Sequence, residues 1–270
     1  MNNGCNRWKA INRLHLVLSA TIILLLILGT NTQVTASAAE MSDIQRRGYI
    51  NIAVKNNLRP LGFTDSSGKL QGLEIDLAKA LGKDLLGKDD AVKLQAVANS
   101  DRLTVILDHK VDLTIARVTA TSNRARIVSF SVPYYFDGTV LITKNASAQR
   151  LLDLARKKIA VLNHSSTIAQ VRYYLPSAEM VGVNSYSEAR ILLENNTADA
   201  FAADASVLSG WVQEYPQYHL LSTKLSTEPL SVVMPKGLQY DKLRQKVNEA
   251  IARYIAQGWL KQRAMYWNLP

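Results

Sequence analysis

Cysteine is all but missing from this chain: Cys5 is the only one in 270 residues. A single thiol builds neither an internal disulfide nor a cysteine metal site. The four histidines, at 15, 109, 164 and 219, are too dispersed for metal-ligand spacing. There is no glycine loop of either common phosphate-cradling type, and no Gly-x-Ser-x-Gly elbow. The formal net charge is +10, yet no block of about five or more basic residues occurs. The cations therefore read as a scattered, solvated surface, and no nucleic-acid partner is expected. No repeat with a period of roughly 20–50 residues is present. These absences leave no catalytic residue, no metal and no cofactor expected.

What is present fits a packed chain. Hydrophobic residues make up 47% and charged residues 20%, in the range of globular proteins. At ~100–200 residues per domain, one or two domains fit. Arg7, Lys9 and Arg13 give a positive start. The stretch Leu14 to Gly29 is mostly apolar, and Ala36-Ser37-Ala38 follows with small-x-small spacing. These are the three parts of a secretory signal peptide. The apolar run falls short of the ~20 residues that span a bilayer, so cleavage near Ala38/Ala39 is expected rather than a retained anchor. Cys5 precedes the apolar run and cannot be a lipoprotein cysteine. A soluble, periplasmic mature chain is expected.

The rest alternates between strand and helix patterns. Tyr49–Val54, Val92–Val97 and Leu113–Ala116 read as strands. Leu73, Leu77, Leu81 and Leu85 give a helix with one apolar stripe ending near Gly87. Ser100 is expected to cap a helix that turns Leu103, Ile106 and Leu107 inward. A second series follows, with strands at Val140–Thr143, Ile159–Leu162, Met180–Val183 and Ala200–Ala202. Helices are expected from Ser166 to Tyr174, Glu188 to Asn195 and Ala205 to Gln213. A strand at Leu230–Met234 and a long helix at Tyr240–Gln257 complete the chain. The class is α/β, with two units and a crevice between them, the usual seat of a small ligand.

One loop stands out chemically. After the buried strand at Leu113–Ala116 come Thr119, Thr121, Ser122 and finally Arg124. Arg124 offers a two-pronged fork to a carboxylate, with Thr119 and loop amides beside it. A loop with a purely structural arginine is an equally good reading of these residues alone.

Three motifs, in order, resemble the family 3 extracellular solute-binding proteins, the polar amino-acid receptors of ABC transporters. They are Gly72-Leu73-Glu74-Ile75-Asp76-Leu77-Ala78, the Thr119 to Arg124 loop followed by Phe130-Ser131-Val132-Pro133-Tyr134-Tyr135, and Asp199-Ala200-Phe201-Ala202-Ala203-Asp204. The resemblance runs from about residue 44 to the C-terminus. It implies a two-lobed, type II periplasmic-binding-protein fold, each lobe a mainly parallel sheet flanked by helices, with the ligand in the interlobe cleft. The implied organisation is a signal peptide at 1–38, lobe 1 from 39–137 and 228–270, and lobe 2 at 138–227. The implied partners are a free amino acid and the permease subunits of a transporter, with the receptor a monomer.

The resemblance also assigns roles. Arg124 would hold the ligand carboxylate, helped by Thr119 and by the helix start at Ser165 and Ser166. The carbonyl of Arg117 and the carboxylate of Asp204 would accept from the ligand ammonium, and Asp204 could also cap the helix that follows. Lys55, Leu58, Asn99 and Arg117, with Arg59 near by, would wall the ligand side chain. The chain departs from the family at Leu58, where an aromatic ring is common, and at Lys55, where receptors for basic amino acids carry an acid. It departs again at Arg117, where a small residue is usual, and at His164, often glycine. The cationic wall favours an acidic or polar neutral amino acid. An enzyme on the same scaffold, a dehydratase of cyclic aromatic precursors, is the alternative; a sensor-domain relative is less expected.

Overall fold

The computed structural model describes residues 40–163 and 165–270. The expected signal peptide and His164 lie outside the described residues. In chain order, the first part holds α1 (Met41–Arg47), β1 (Ile50–Val54), β2 (Asn57–Leu58), β3 (Gly62–Thr64), β4 (Leu70–Gln71), α2 (Leu73–Leu86) and β5 (Val92–Ala96). Then come α3 (Thr104–Leu107), β6 (Leu113–Ile115), β7 (Ser129–Phe130) and β8 (Tyr135–Asp137). The middle part holds β9 (Thr139–Thr143), β10 (Lys158–Leu162), α4 (Thr167–Tyr174), β11 (Glu179–Val183), α5 (Tyr186–Glu194), β12 (Ala200–Asp204), α6 (Ala205–Glu214) and β13 (His219–Leu220). The chain closes with β14 (Glu228–Leu230), β15 (Val233–Met234), α7 (Asp241–Ala256) and α8 (Trp259–Tyr266).

Two five-stranded sheets result. The first runs β5-β1-β6-β15-β7 and the second β11-β10-β12-β9-β13. Each has three parallel strands extended by antiparallel neighbours. Strand alternation divides each core in two. Ile50, Ile52 and Val54 pack beneath α2 and α7, whereas Ala53 faces the opposite cluster with Val105, Ile106 and Val118. In the second sheet Phe201 and Ala203 join one cluster, and Ala200 and Ala202 the other. Both sheets are therefore covered on both faces, as parallel strands require.

The two sheets are joined by a short ribbon in which β8 pairs antiparallel with β14, Phe136 opposite Pro229. Gly138 follows directly, and the Thr139 amide donates to Ser226 Oγ at 2.9 Å. On the far side, α6 packs against the loop after β2. A first side-chain carbon on Gly210 would stand 2.2 Å from the Arg59 carbonyl oxygen, so only glycine permits this approach. Arg59 also pairs with Glu214 at 3.8 Å, and Gln213 donates to the Trp267 carbonyl at 3.2 Å.

Three expected details differ. Ser100 does not cap α3: its hydroxyl donates to Asp101, and the helix begins only at Thr104, with no side-chain cap. Leu107 is not inward but exposed, because it ends a four-residue helix, while Ile106 takes the core position. The strand expected at Leu230–Met234 is broken in two. Leu230 pairs with Tyr135 in the ribbon, and Val233 pairs with Thr114 and Phe130 in the first sheet. The chain changes partners in between.

Candidate functional site

The site begins with the backbone around Glu74. Gly72 has φ 124°, and a side chain there would meet the Leu61 carbonyl at 2.2 Å. Glycine thus lets the chain turn sharply into α2, so that Glu74 in its first turn points inward and is fully buried. Glu74 Oε1 accepts from the Arg117 amide at 2.6 Å and from the Tyr134 hydroxyl at 2.5 Å. One carboxyl group thereby ties the first motif to the chain just before the Thr119 loop and to Tyr134 of the second. Burial raises the Glu74 pKa, and the bonds from Tyr134 and Arg117 oppose that.

Arg117 sits at the end of β6 with φ 49°. The left-handed region costs a residue with a side chain about 1–2 kcal/mol. A hydrogen bond contributes about 0.5–1.5 kcal/mol, and more where the acceptor is charged, so the Glu74 bond offsets a large part of the cost of holding Arg117 there. The Arg117 guanidinium then reaches out of the first lobe. It ion-pairs with Asp204, at the end of β12, and lies 3.7 Å from Asp137. Asp204 makes no cap bond to α6; its carboxylate turns to Arg117 instead. The Arg117 carbonyl is also engaged, accepting from Arg102 Nη1 at 2.6 Å. Both acceptors expected for a ligand ammonium thus already hold guanidinium groups of the protein.

Arg124 opens a 3₁₀ turn and donates from Nη1 to the Thr119 carbonyl at 2.9 Å. It forms no ion pair with any described residue. The Thr119 hydroxyl makes a long contact, 3.5 Å, with Glu228. Thr119 is further fixed by a β-bridge to Leu230. The two serines stand apart from this group. Ser166 is exposed at the start of α4, and Ser165 Oγ is buried without a partner among the described residues. No hydrogen bond joins either serine to Arg124, Thr119 or Asp204 among the described residues.

A cavity of 460 Å³ lies beside this group, between the lobes. Lys55, Leu58, Arg59 and Asn99 line it from the first lobe, and Tyr186, Arg190, Trp211, Glu214 and Tyr215 from the second. It contains the expected side-chain wall apart from Arg117, and not the clamp. Lys55 is buried and donates to the Val97 carbonyl at 2.8 Å. Burial, followed by the Arg102 charge, lowers its pKa, and Glu74 opposes this. Arg102 is itself pulled down by burial and by the Arg117 and Arg124 charges. Lys55, Arg102, Arg117 and Arg124 are therefore one electrostatically coupled group.

Sequence reasoning missed Arg102 and the second-lobe wall. Arg102 belongs to no motif, and nothing in its neighbours marks it. The wall was discoverable: Val207, Gly210, Trp211 and Glu214 share one face of α6 at helical spacing, directly after Asp204, and Tyr215 follows the helix.

Two sheets joined by a crossing ribbon, with a polar cleft between them, define a type II periplasmic binding protein. The chain belongs to the bacterial extracellular solute-binding proteins, family 3, whose model matches residues 50–270. A glutamine-binding protein of Geobacillus stearothermophilus is 28% identical over 205 residues, 75% of this chain and 78% of that protein. The ABC transporter arginine-binding protein 1 of Escherichia coli is 27% identical over 236 residues, 86% of this chain and 92% of its own. Among solved structures, the solute receptor for L-cysteine of Neisseria gonorrhoeae aligns with a TM-score of 0.67 at 28% identity, covering 86% of this chain and 94% of that one.

Proposed function

We propose that this chain is an extracytoplasmic receptor that captures a small carboxylate solute of the amino-acid class and passes it to the membrane permease of an ABC transporter. The observation that carries the reading is Arg124. Its guanidinium is held by the Thr119 carbonyl, yet has no carboxylate partner among the described residues. A planar fork with spare donors suits a ligand carboxylate. The named substrates of the three relatives, glutamine, arginine and L-cysteine, all carry one. The wall favours an acidic or polar neutral side chain over a basic one: Lys55, Arg59 and Arg190 face a single acid, Glu214. Thr119 assists Arg124, and Ser165 and Ser166 would join it when a ligand draws α4 inward.

The lobe boundaries proposed are 137/138 and 227/228, supported by the β8–β14 ribbon at that place. The receptor is read as a monomer by its resemblance to the family. A dehydratase on this scaffold is disfavoured because its general acid would have to be Asp204, which Arg117 engages. Export with cleavage near Ala39 belongs to the same reading. N-terminal sequencing of secreted material should begin there, and an intact N-terminus retained in washed membranes counts against it.

The function is tested by thermal denaturation of the mature chain against a panel of amino acids and related acids. A ligand at 100 times its Kd adds ~2.7 kcal/mol. At roughly 2–4 °C per kcal/mol for a chain of this size, the midpoint should rise by about 5–10 °C. Acidic and polar neutral members should give that rise and arginine should not. A flat response to every member removes the reading.

A further inference from the structure

The inventory of donors and acceptors around Arg117 is lopsided. Every carboxylate there already accepts. Glu74 takes the Arg117 amide and the Tyr134 hydroxyl. Asp137 takes the amides of Gly138 and Ser206 at 2.9 and 3.0 Å, and the Ser206 hydroxyl as well. Asp204 takes the Arg117 guanidinium. Glu228 accepts longer contacts from the hydroxyls of Thr119 and Ser226, at 3.5 and 3.4 Å. The Arg117 carbonyl, the remaining acceptor at that point, takes Arg102.

Donors, in contrast, are in surplus. Lys55 is buried and spends one N–H on the Val97 carbonyl. Arg124 spends one on Thr119. Neither has an ion-pair partner among the described residues. An ammonium ligand brings three donors and no acceptor, whereas a carboxylate brings acceptors only. Two carboxylates would satisfy this cleft; for an ammonium, the acceptor open to it, Asp204, is held by Arg117, and the one carboxylate oxygen without a partner among the described residues there, Glu74 Oε2, is fully buried.

We infer that Arg117 fills the ammonium subsite with the protein's own cation, and that the cleft therefore selects a dicarboxylate lacking an ammonium over the matching amino acid. This rests on the cleft being the solute site. One carboxylate goes to Arg124 and Thr119, the other toward Lys55. An entering ammonium would have to expel Arg117 from Asp204, or lie unpaired among Arg102, Arg117 and Arg124. The left-handed backbone of Arg117 aims its side chain across the cleft, and a glycine there would free Asp204 at no backbone cost.

The test is calorimetric titration of the mature chain with glutarate and with glutamate, which share both carboxylates and differ by the ammonium. Wild type should bind glutarate about ten-fold tighter or more, a difference typical of one desolvated polar mismatch. Arg117→Gly should reverse the order, with glutamate gaining. Glutamate binding tighter than glutarate in wild type, or a ratio unmoved by Arg117→Gly in a variant that melts normally, overturns the inference. If Arg124→Ala abolishes binding in either case, the cleft reading survives and only the role of Arg117 falls. If neither acid binds wild type, cleft reading and inference fall together.

Discussion

Alanine at position 124 should lower affinity for the solute by roughly thirty-fold to several-thousand-fold, with the melting midpoint of the empty protein little changed. The size follows from removing one partner of a desolvated, hydrogen-bonded charge pair, which costs ~2–5 kcal/mol. The small effect on stability follows from the structure. Arg124 makes one side-chain bond, to the Thr119 carbonyl, and no ion pair with a described residue. Thr119 keeps its bridge to Leu230 without it, and Ala120 its bond to the Pro229 carbonyl. Arg124→Lys should recover only part of the affinity, because a point charge replaces a planar fork. Calorimetry on the three proteins decides the matter; equal affinities would detach Arg124 from the ligand.

Glu74→Ala should act in the opposite way, on stability first. It strands the Arg117 amide and the Tyr134 hydroxyl inside the first lobe. Each unsatisfied buried donor costs about 1–3 kcal/mol, for a total of about 2–6 kcal/mol. The midpoint should fall by roughly 4–24 °C. Glu74→Gln should be milder, since an amide keeps one acceptor in place. The pair also makes a prediction about pH. Burial holds the Glu74 pKa above the ordinary glutamate value of about 4.3. Through that window the folded state binds more protons than the unfolded chain, so Glu74 costs stability as pH rises from the ordinary value through the raised one. Wild type should therefore lose stability relative to Glu74→Gln as pH climbs out of the acid range. A difference between the two that stays constant with pH, or a Glu74→Ala protein as stable as wild type, contradicts this account.

Much of the fold was legible because its signals are local. The stripe Leu73, Leu77, Leu81 and Leu85 became α2, ended by Gly87 in a left-handed cap. Short β-rich runs became the parallel strands of both sheets. The misreadings came where local pattern and tertiary partner disagree. Leu230 to Met234 looks like one strand, but its two ends serve different sheets. Ser100 looks like a cap, but the turn after it delays the helix to Thr104. At the site, the types of residue were legible and their partners were not. The sequence marks Arg117 as an oddity beside the Thr119 loop. Only the crossing of the ribbon brings it to Asp204, whose sequence position is 87 residues away. Arg102, which takes the Arg117 carbonyl, has no signal at all before the fold assembles.

The most direct measurement is a crystal structure of the mature chain with the tightest-binding acid from the panel. The account predicts the solute between the lobes, with one carboxylate on Arg124 and Thr119, a second group toward Lys55, and Arg117 still paired with Asp204. A solute bound outside the cleft, or held in it with no carboxylate on Arg124, would contradict the account.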